Sequence, residues 1–161
     1  MKITIIGGGS YAWVKNLVSD FLVEDFFNGS ELCLMDINQN NLNDVSALCL
    51  KLCKLASVKL KITSTTNLDE SLNGSDYVIV SVALGGWAAC EQDHMIGRKY
   101  GYSNLKGHDI GAAGFARTIR HVPFMVHIAR KMEKYCPHAK LMNVTNPLIA
   151  NTRSVNEYSS I

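Results

Sequence analysis

The chain has 161 residues, of which 47% are hydrophobic and 19% are charged, with a formal net charge of +2. This length and apolar content suit one domain with a sizeable core and exclude a disordered or tail-like chain. The five cysteines are an odd number without a C-x-x-C pair. That pattern argues against a disulfide framework or a zinc ribbon, and it indicates reduced thiols in a cytoplasmic protein.

The first half of the chain alternates predicted strands and helices. Apolar side chains recur at helical spacing after the first strand, in the stripes Val14–Val18–Leu22 and Trp13–Leu17–Phe21. Asn38 is a plausible N-cap for a long second helix, in which Cys49 and Cys53 are interpreted as small core residues. The predicted elements are a strand at Lys2–Ile6, a helix over 10–27, a strand at Glu31–Met35, a helix over 38–57, a strand at 59–63 and a short helix or turn at Leu68–Leu72.

The second half continues the alternation. Pro123 lies inside an apolar helical pattern, so we expect a kink or a break into two helices there. The order of elements predicts an α/β fold, a doubly wound parallel sheet with helices on both faces. The predicted elements are a strand at 77–82, a loop at 83–87, a helix over 93–100, a glycine-containing loop at 102–114, a helix over 115–135, a strand at 140–144 and a helical segment after residue 147.

Neither a nucleic acid nor a membrane is an expected partner. The densest basic stretch, formed by Lys51, Lys54, Lys59 and Lys61, is more typical of a solvated face than of a nucleic-acid site. The apolar run at 3–6 is only one strand long and is followed by glycines, so it is neither a signal peptide nor a membrane span.

A glycine-rich turn follows the first predicted strand. The segment 7–12 reads Gly-Gly-Gly-Ser-Tyr-Ala and fits the pattern G-x-G-x-x-A. In that pattern Gly7 permits the tight turn, Gly9 lets the backbone approach a pyrophosphate, and the small Ala12 allows the helix to pack on the strand. The helix that begins near Ser10 and Tyr11 offers unpaired N–H groups to phosphates. The motif therefore predicts the dinucleotide-binding loop of a Rossmann domain.

Asp36 ends the second predicted strand, at the place where such domains carry a ribose-binding acid. A carboxylate there accepts hydrogen bonds from the adenosine ribose and repels a 2′-phosphate, which favours NAD over NADP. The alternative is that Asp36 only caps the following helix. Val82 and Ala83, at the carboxyl end of the predicted central strand, are further predicted NAD contacts.

Three further segments carry a family resemblance. They are YVIVSVALGG at 77–86, HDIGAAGFARTIRHVP at 108–123 and CPHAKLMNVTNP at 136–147, after the start KITIIGGGSYAW. Together they closely resemble glycoside hydrolase family 4, the NAD- and divalent-metal-dependent α-glucosidases, α-galactosidases, α-galacturonidases and 6-phospho-glycosidases. The resemblance covers essentially the whole chain. It implies hydrolysis of a glycoside by oxidation of the sugar at C3, elimination and rehydration, with NAD and a Mn²⁺-like cation.

The resemblance also assigns roles to residues of this chain. Asn146 in T-N-P matches a substrate-binding asparagine, with an Asx-turn before Pro147 as the alternative. Asp109 matches an acid that raises the basicity of the catalytic tyrosine, with a loop N-cap as the alternative. Arg117 and Arg120 match the F-x-R-x-x-R spacing. Their side chains are expected to contact the substrate, a carboxylate partner or a subunit interface, and the sequence does not decide among these three.

Two departures from the family pattern shape the expected function. The arginine that clamps the sugar phosphate in phospho-glycosidases is Cys90 here, three residues before Asp93. This favours an unphosphorylated α-galactoside or α-glucoside, although Arg98 is a possible substitute cation. The family's metal-binding cysteine and histidine and its tyrosine all lie beyond T-N-P, so the Mn²⁺ ligands are expected outside this chain.

The expected overall assignment is therefore an N-terminal fragment, a single domain over 1–161, that binds NAD without hydrolysing glycosides alone. A truncated sheet would expose apolar surface, so a homo-oligomer is expected. Two alternatives remain at this point: a malate/lactate-type NAD-dependent dehydrogenase, and a non-catalytic NAD-binding module.

Overall fold

The computed structural model of the chain describes residues 1–101 and 109–161, and the predicted loop at 102–114 lies partly outside that range. The strands are β1 (Lys2–Ile6), β2 (Glu31–Met35), β3 (Lys61–Thr65), β4 (Tyr77–Val80) and β5 (Lys140–Asn143). The helices are α1 (Tyr11–Val23), α2 (Gln39–Ala56), α3 (Leu68–Leu72), α4 (Gly86–Lys99), α5 (Gly111–Tyr135) and α6 (Leu148–Tyr158), with a short 3-10 helix at Asp25–Phe27.

The five strands form one sheet in the order β3-β2-β1-β4-β5. β1 pairs in parallel with β2 on one side and with β4 on the other, and β2 pairs in parallel with β3. The alternation of parallel strands and helices in this strand order is that of a Rossmann half-sheet. The predicted α/β fold class is therefore confirmed.

The chain divides into two compact units. The first unit comprises Met1–Ser81 and Lys134–Met142 and contains most of the sheet with α1, α2 and α3. The second unit comprises Val82–Glu133 and Asn143–Ile161 and contains α4, α6 and nearly all of α5. The expectation of one domain over 1–161 stays a prediction.

The core of the first unit lies between the sheet and the helices α1 and α2. Its strand residues come from β1, β2 and β4 because both faces of a parallel sheet are apolar. Cys49 and Cys53 belong to this core, as the sequence predicted. The buried members are Ile3, Ile5, Val14, Val18, Leu32, Leu34, Leu42, Val45, Cys49, Cys53, Leu60 and Ile79.

One predicted apolar stripe on α1 is only partly correct. Val14 and Val18 are fully buried, whereas Trp13 is 57% exposed. Helical spacing groups Trp13 with Leu17 and Phe21, which do pack against the core. Trp13 lies in the first turn of the helix, before the part of this stripe that packs against the core.

Two helices of the second unit differ from the prediction. α4 begins at Gly86, not at Asp93, because Gly85 takes a left-handed backbone conformation and serves as its N-cap. α5 begins at Gly111, also at a positive φ, and runs through Pro123 as one helix. Pro123 is on the exposed side of α5, where water can meet the carbonyl that its missing N–H leaves unbonded.

The remaining differences are shifts of element ends. β3 is Lys61–Thr65 instead of 59–63, and β4 and β5 stop at Val80 and Asn143, short of the predicted ends. α1 ends at Val23, before the 3-10 helix. Helix and strand ends depend on local capping and pairing, which apolar spacing alone does not encode. Among the described residues, no helix combines the length and apolarity needed to cross a bilayer.

Candidate functional site

The glycine-rich loop 7–10 is held at the carboxyl end of β2. The backbone N–H groups of Gly7 and Gly8 both donate to the carbonyl of Met35, at 2.9 and 2.8 Å. Gly7 has a φ of 94°, a backbone conformation that favours glycine. The N–H of Ser10 then closes the turn on the carbonyl of Gly7 at 3.1 Å. The predicted role of Gly7 in turning the chain out of the strand agrees with this geometry.

The second and third glycines lie directly against β2 and the start of α2. A Cβ on Gly8 would lie 2.8 Å from the Cα of Leu34. A Cβ on Gly9 would lie 2.9 Å from Oδ2 of Asp36 and 2.9 Å from Cβ of Asn41. All three distances are shorter than real Cβ contacts, so the protein itself excludes side chains at Gly8 and Gly9, before any ligand is considered.

Asp36 is joined to the loop by a hydrogen bond. Its Oδ2 accepts from the N–H of Gly9 at 3.0 Å, and its Oδ1 accepts from the N–H of Asn38 at 3.1 Å. The N-cap of α2 is Asn38, whose side chain accepts from the N–H of Asn41 at 3.1 Å. The alternative interpretation of Asp36 as the cap of this helix is therefore wrong. Each carboxylate oxygen keeps lone-pair capacity for a further donor.

The unsatisfied donors near this loop are in the first turn of α1. Among the described residues, no acceptor is bound by the N–H groups of Tyr11, Ala12 and Trp13. Such first-turn amides, with the positive end of the helix dipole, bind anions well. Three open amides beside a half-buried carboxylate fit a dinucleotide, with the phosphates at the helix and a ribose at Asp36.

In the second unit, the segment after β4 is a tight turn whose backbone is bound by side chains. The N–H of Val82 donates to Oγ1 of Thr145 at 3.0 Å, and the N–H of Gly86 donates to the carbonyl of Ala83 at 2.9 Å. The N–H of Leu84 donates to Nε2 of His121 at 3.2 Å. The predicted loop at 83–87 is thus a turn that leads directly into α4.

Arg120 forms a bidentate ion pair with Asp93 of α4. Its Nη1 donates to Oδ1 of Asp93 at 3.2 Å, and its Nη2 donates to Oδ2. Asp93 is only 6% exposed, and its hydrogen bond raises the pKa of Arg120. Of the alternatives left open for this arginine, a carboxylate partner is the one observed.

The T-N-P turn is stabilised by neighbours of Asn146 and not by Asn146 itself. Asn143 forms the Asx-turn, since its Oδ1 accepts from the N–H of Thr145 at 2.9 Å. The buried Asn151 donates to the carbonyl of Thr145 at 3.0 Å. Asn146 is exposed, and within the described residues its side chain makes no hydrogen bond. The Asx-turn alternative thus belongs to Asn143, and the amide of Asn146 is open to a ligand.

Asp109 contacts the beginning of α6. Its Oδ1 accepts from the N–H of Leu148, the first residue of that helix, at 2.7 Å. This contact differs from the loop N-cap considered as the alternative, because the helix whose N-terminus Asp109 contacts is 39 residues away in sequence. Gly114 allows this approach, because a Cβ there would lie 2.6 Å from the carbonyl carbon of Asp109. The carboxylate is exposed and retains capacity for other donors.

Two further predictions concern Cys90, at the position that the family resemblance assigns to sugar-phosphate binding, and the Mn²⁺ ion. Cys90 is buried in α4, with its Sγ 3.8 Å from Nδ1 of His94. No group of three or more His, Cys, Asp or Glu side chains able to hold a metal ion occurs within residues 1–101 and 109–161. The described residues therefore do not fit a Mn²⁺ site.

Sequence reasoning missed His121, Asn143 and Asn151. None of them stands in a motif whose chemistry can be read from spacing. The one available signal was the adjacency of His121 to Arg120 within the predicted helix.

Comparison with known proteins agrees with the geometry. The sheet order and the glycine-rich turn after β1 define a Rossmann-type α/β protein. More particularly, residues 2–161 match the model of the family 4 glycosyl hydrolases, and the chain belongs to that family. This membership excludes the malate/lactate-type dehydrogenase as its family.

Several relatives are similar over nearly the whole chain. An α-galacturonidase of Thermoanaerobacterium saccharolyticum is 32% identical over 98% of this chain and 34% of its own length. An α-galactosidase of Bacillus subtilis is 31% identical over 99% of this chain and 37% of its own. The solved 6-phospho-β-glucosidase of Thermotoga maritima, with manganese, NAD⁺ and glucose-6-phosphate, is 26% identical with a TM-score of 0.80, covering 91% of this chain and 35% of its own. The chain thus spans about a third of the length of these relatives.

Proposed function

We propose that this chain is the NAD-binding part of a family 4 glycosidase that cleaves O-glycosyl bonds. The observation that carries the proposal is the hydrogen bond between the N–H of Gly9 and the carboxylate of Asp36, beside three open amides of α1. This arrangement presents anion-binding and ribose-binding groups at the ends of adjacent parallel strands. The Thermotoga maritima enzyme, whose structure was solved with NAD⁺, supports the same cofactor.

The roles of the chain's own residues follow from their contacts. Tyr11 and Ala12 donate backbone N–H groups to the phosphates, and Asp36 accepts from ribose hydroxyls. Gly7 and Gly9 keep the loop close to β2 and so fix the position of the acid. When bound, NAD supplies reversible hydride acceptance, by which the sugar is oxidised at C3 before elimination of the glycosidic oxygen. The contacts proposed for Ser10, Val82 and Ala83 stay predictions.

For the substrate, we favour an unphosphorylated glycoside. Cys90 is buried and carries no cationic group, so it cannot clamp a phosphate as a guanidinium does. The α-galacturonidase and α-galactosidase relatives support this assignment. The exposed amide of Asn146 is available to bind sugar hydroxyls. Asp109, proposed to raise the basicity of a catalytic tyrosine, has an exposed carboxylate with room for a second donor.

Replacement of Asp36 tests the proposal directly. Asp36→Asn removes the charge and keeps the shape, so NAD⁺ affinity measured by calorimetry should fall about 10- to 100-fold, since charge-assisted hydrogen bonds contribute about 1.5–3 kcal/mol. The preference for NAD⁺ over NADP⁺ should fall with it. Asp44→Asn, the same change on the exposed face of α2, is the matched control and should leave binding unchanged. Equal NAD⁺ affinity of Asp36→Asn and the unmodified chain would contradict the proposal.

That the chain by itself binds NAD without cleaving glycosides stays a prediction. Turnover of nitrophenyl glycosides with NAD⁺ and Mn²⁺ by the isolated chain would refute this.

A homo-oligomer is also proposed, because apolar side chains such as Trp87, Phe115 and Ile149 are largely exposed. Light scattering that shows a monomer would refute it. The cytoplasmic location stays a prediction.

A further inference from the structure

Two consecutive residues of α5 bind the backbone of one residue in the turn after β4. Nε2 of His121 accepts from the N–H of Leu84 at 3.2 Å, and Nε of Arg120 donates to the carbonyl of Leu84 at 3.0 Å. Both polar groups of a single residue are therefore held by side chains of one helix. We call residues 82–86 the Leu84 turn.

The contacts of His121 define its protonation state. Its Nδ1 lies 3.0 Å from the carbonyl of Arg117, an acceptor, so Nδ1 must carry the proton. Its Nε2 faces the N–H of Leu84, a donor, so Nε2 must be unprotonated. The ring is 1% exposed, and water cannot take over either bond. A second proton would place two N–H groups against each other and break the bond to Leu84.

Arg120 is oriented by Asp93 and not by solvent. The bidentate pair uses both Nη atoms of the guanidinium, which leaves Nε directed at the carbonyl of Leu84. A lysine has one donor centre and cannot satisfy the carboxylate and the carbonyl with this geometry. Asp93, Arg120 and His121 thus form a connected set that fixes the Leu84 turn.

The other bonds of the turn leave the amides of Ala83 and Gly85 open. The N–H groups of Val82, Leu84 and Gly86 all have acceptors. Among the described residues, the N–H groups of Ala83 and Gly85 have none. Gly85 is closely packed, since a Cβ on it would lie 2.5 Å from Cβ of Ala89. The amide of Ala83 is therefore flanked on both sides by residues whose N–H groups are bonded, Val82 and Leu84.

From these contacts we infer that His121 and Arg120 are positioning residues, which hold the Leu84 turn so that the N–H of Ala83 is presented to a bound ligand, and that protonation of His121 releases the turn. The identification of the ligand as NAD rests on the proposed function above. The holding of the turn itself does not depend on any ligand.

The charged groups around His121 determine the pH at which release occurs. Burial has the largest effect and lowers the pKa of His121, and the positive charges of Arg117 and Arg120 lower it further. The backbone hydrogen bond to Arg117 and the charge of Asp93 raise this pKa. Above about pH 6.5 the ring is neutral in both the folded and the unfolded chain. As the pH falls below that value, the unfolded chain takes up a proton that the folded ring resists, so stability falls. The turn is held at neutral pH and released in acid.

The first test observes His121 and Leu84 in the whole chain without any ligand. Nitrogen NMR of the imidazole at neutral pH should show the Nδ1–H tautomer, and the amide of Leu84 should be protected from hydrogen exchange. His121→Phe removes the acceptor and should reduce that protection about tenfold. His121→Gln keeps an acceptor that does not titrate and should retain it down to acid pH. His127→Phe, on the exposed side of α5, is the matched control.

Two results would overturn the inference: a proton on Nε2 at neutral pH, or unchanged protection of Leu84 in His121→Phe. If His121→Phe fails to fold, the protection of the Leu84 amide is compared across pH between the unmodified chain and His121→Gln, and that comparison replaces the result for His121→Phe. Protection of Leu84 that does not decrease as His121 titrates in the unmodified chain contradicts release.

The second test measures NAD⁺ affinity from about pH 8 to about pH 5. The unmodified chain should lose affinity as His121 titrates, whereas His121→Gln should bind with a weaker pH dependence. Absence of NAD⁺ binding at every pH, with the expected behaviour of Leu84, refutes the proposed function and leaves the positioning role standing. Parallel pH profiles in the two proteins refute the presentation of Ala83.

Discussion

Gly9→Ala tests how the loop positions the acid. The added Cβ would lie 2.9 Å from Cβ of Asn41 and 2.9 Å from Oδ2 of Asp36, so the loop must move away from both. Gly9 itself has no positive φ, and the backbone conformation therefore does not oppose alanine. The effect of the substitution is steric, and it acts on the hydrogen bond between the N–H of Gly9 and Asp36.

The expected magnitudes follow from that geometry. Overpacking by one methyl group costs about 1–3 kcal/mol of the free energy of unfolding. For a domain of this size, this corresponds to a fall in Tm of about 2–4 °C per kcal/mol. Displacement of Asp36 weakens a charge-assisted contact by about 1.5–3 kcal/mol, or roughly 10- to 100-fold in NAD⁺ affinity.

Calorimetry with NAD⁺ and thermal unfolding measure the two effects on the same samples. Gly74→Ala is the control: Gly74 has a φ of 71° with open space around its Cβ, so alanine there strains the backbone without touching the site. It should lower Tm and leave NAD⁺ affinity unchanged. If Gly9→Ala binds NAD⁺ as tightly as the unmodified chain, the reasoning about this loop is refuted.

Two further predictions concern the first unit and the thiols. All five cysteines are free and buried, and burial raises the pKa of Cys49 to about 11, so a thiol reagent at neutral pH should react slowly with the native chain and rapidly after denaturation; a thiol that reacts rapidly in the native chain contradicts this. Asn38→Ala removes the cap of α2 and should lower the free energy of unfolding by about 1 kcal/mol in denaturant titrations, whereas Asn40→Ala, two residues further along on the exposed surface, should change it little; equal effects of the two substitutions contradict the capping role.

The turn at Gly7 and the position of Asp36 at the end of β2 were largely predictable from sequence. Gly7 and Asp36 occur at fixed places relative to β1 and β2, because parallel strands bring their carboxyl ends to one edge of the sheet. The cap at Asn38 was predictable for the same local reason. The bond from the N–H of Gly9 to Asp36 was not, since its partners are 27 residues apart in sequence.

The second unit shows where pattern reasoning stops. Its spacing gave the approximate position of α5, yet not its start at Gly111 or its continuity through Pro123. Arg120 was left among several partners because the sequence predicted a helix over 93–100 but not that its Asp93 contacts α5. The contact of Asp109 with the N–H of Leu148 joins segments 39 residues apart.

The sequence alone determined the order of strands and helices, the turn at Gly7 and the acid at Asp36, because each depends on apolar periodicity or on backbone preferences within a short segment. Only the tertiary structure decided which amides remain open, which carboxylate pairs with Arg120 and which tautomer His121 adopts. Those properties depend on hydrogen bonds between segments distant in the chain, whose distances and directions are set by packing.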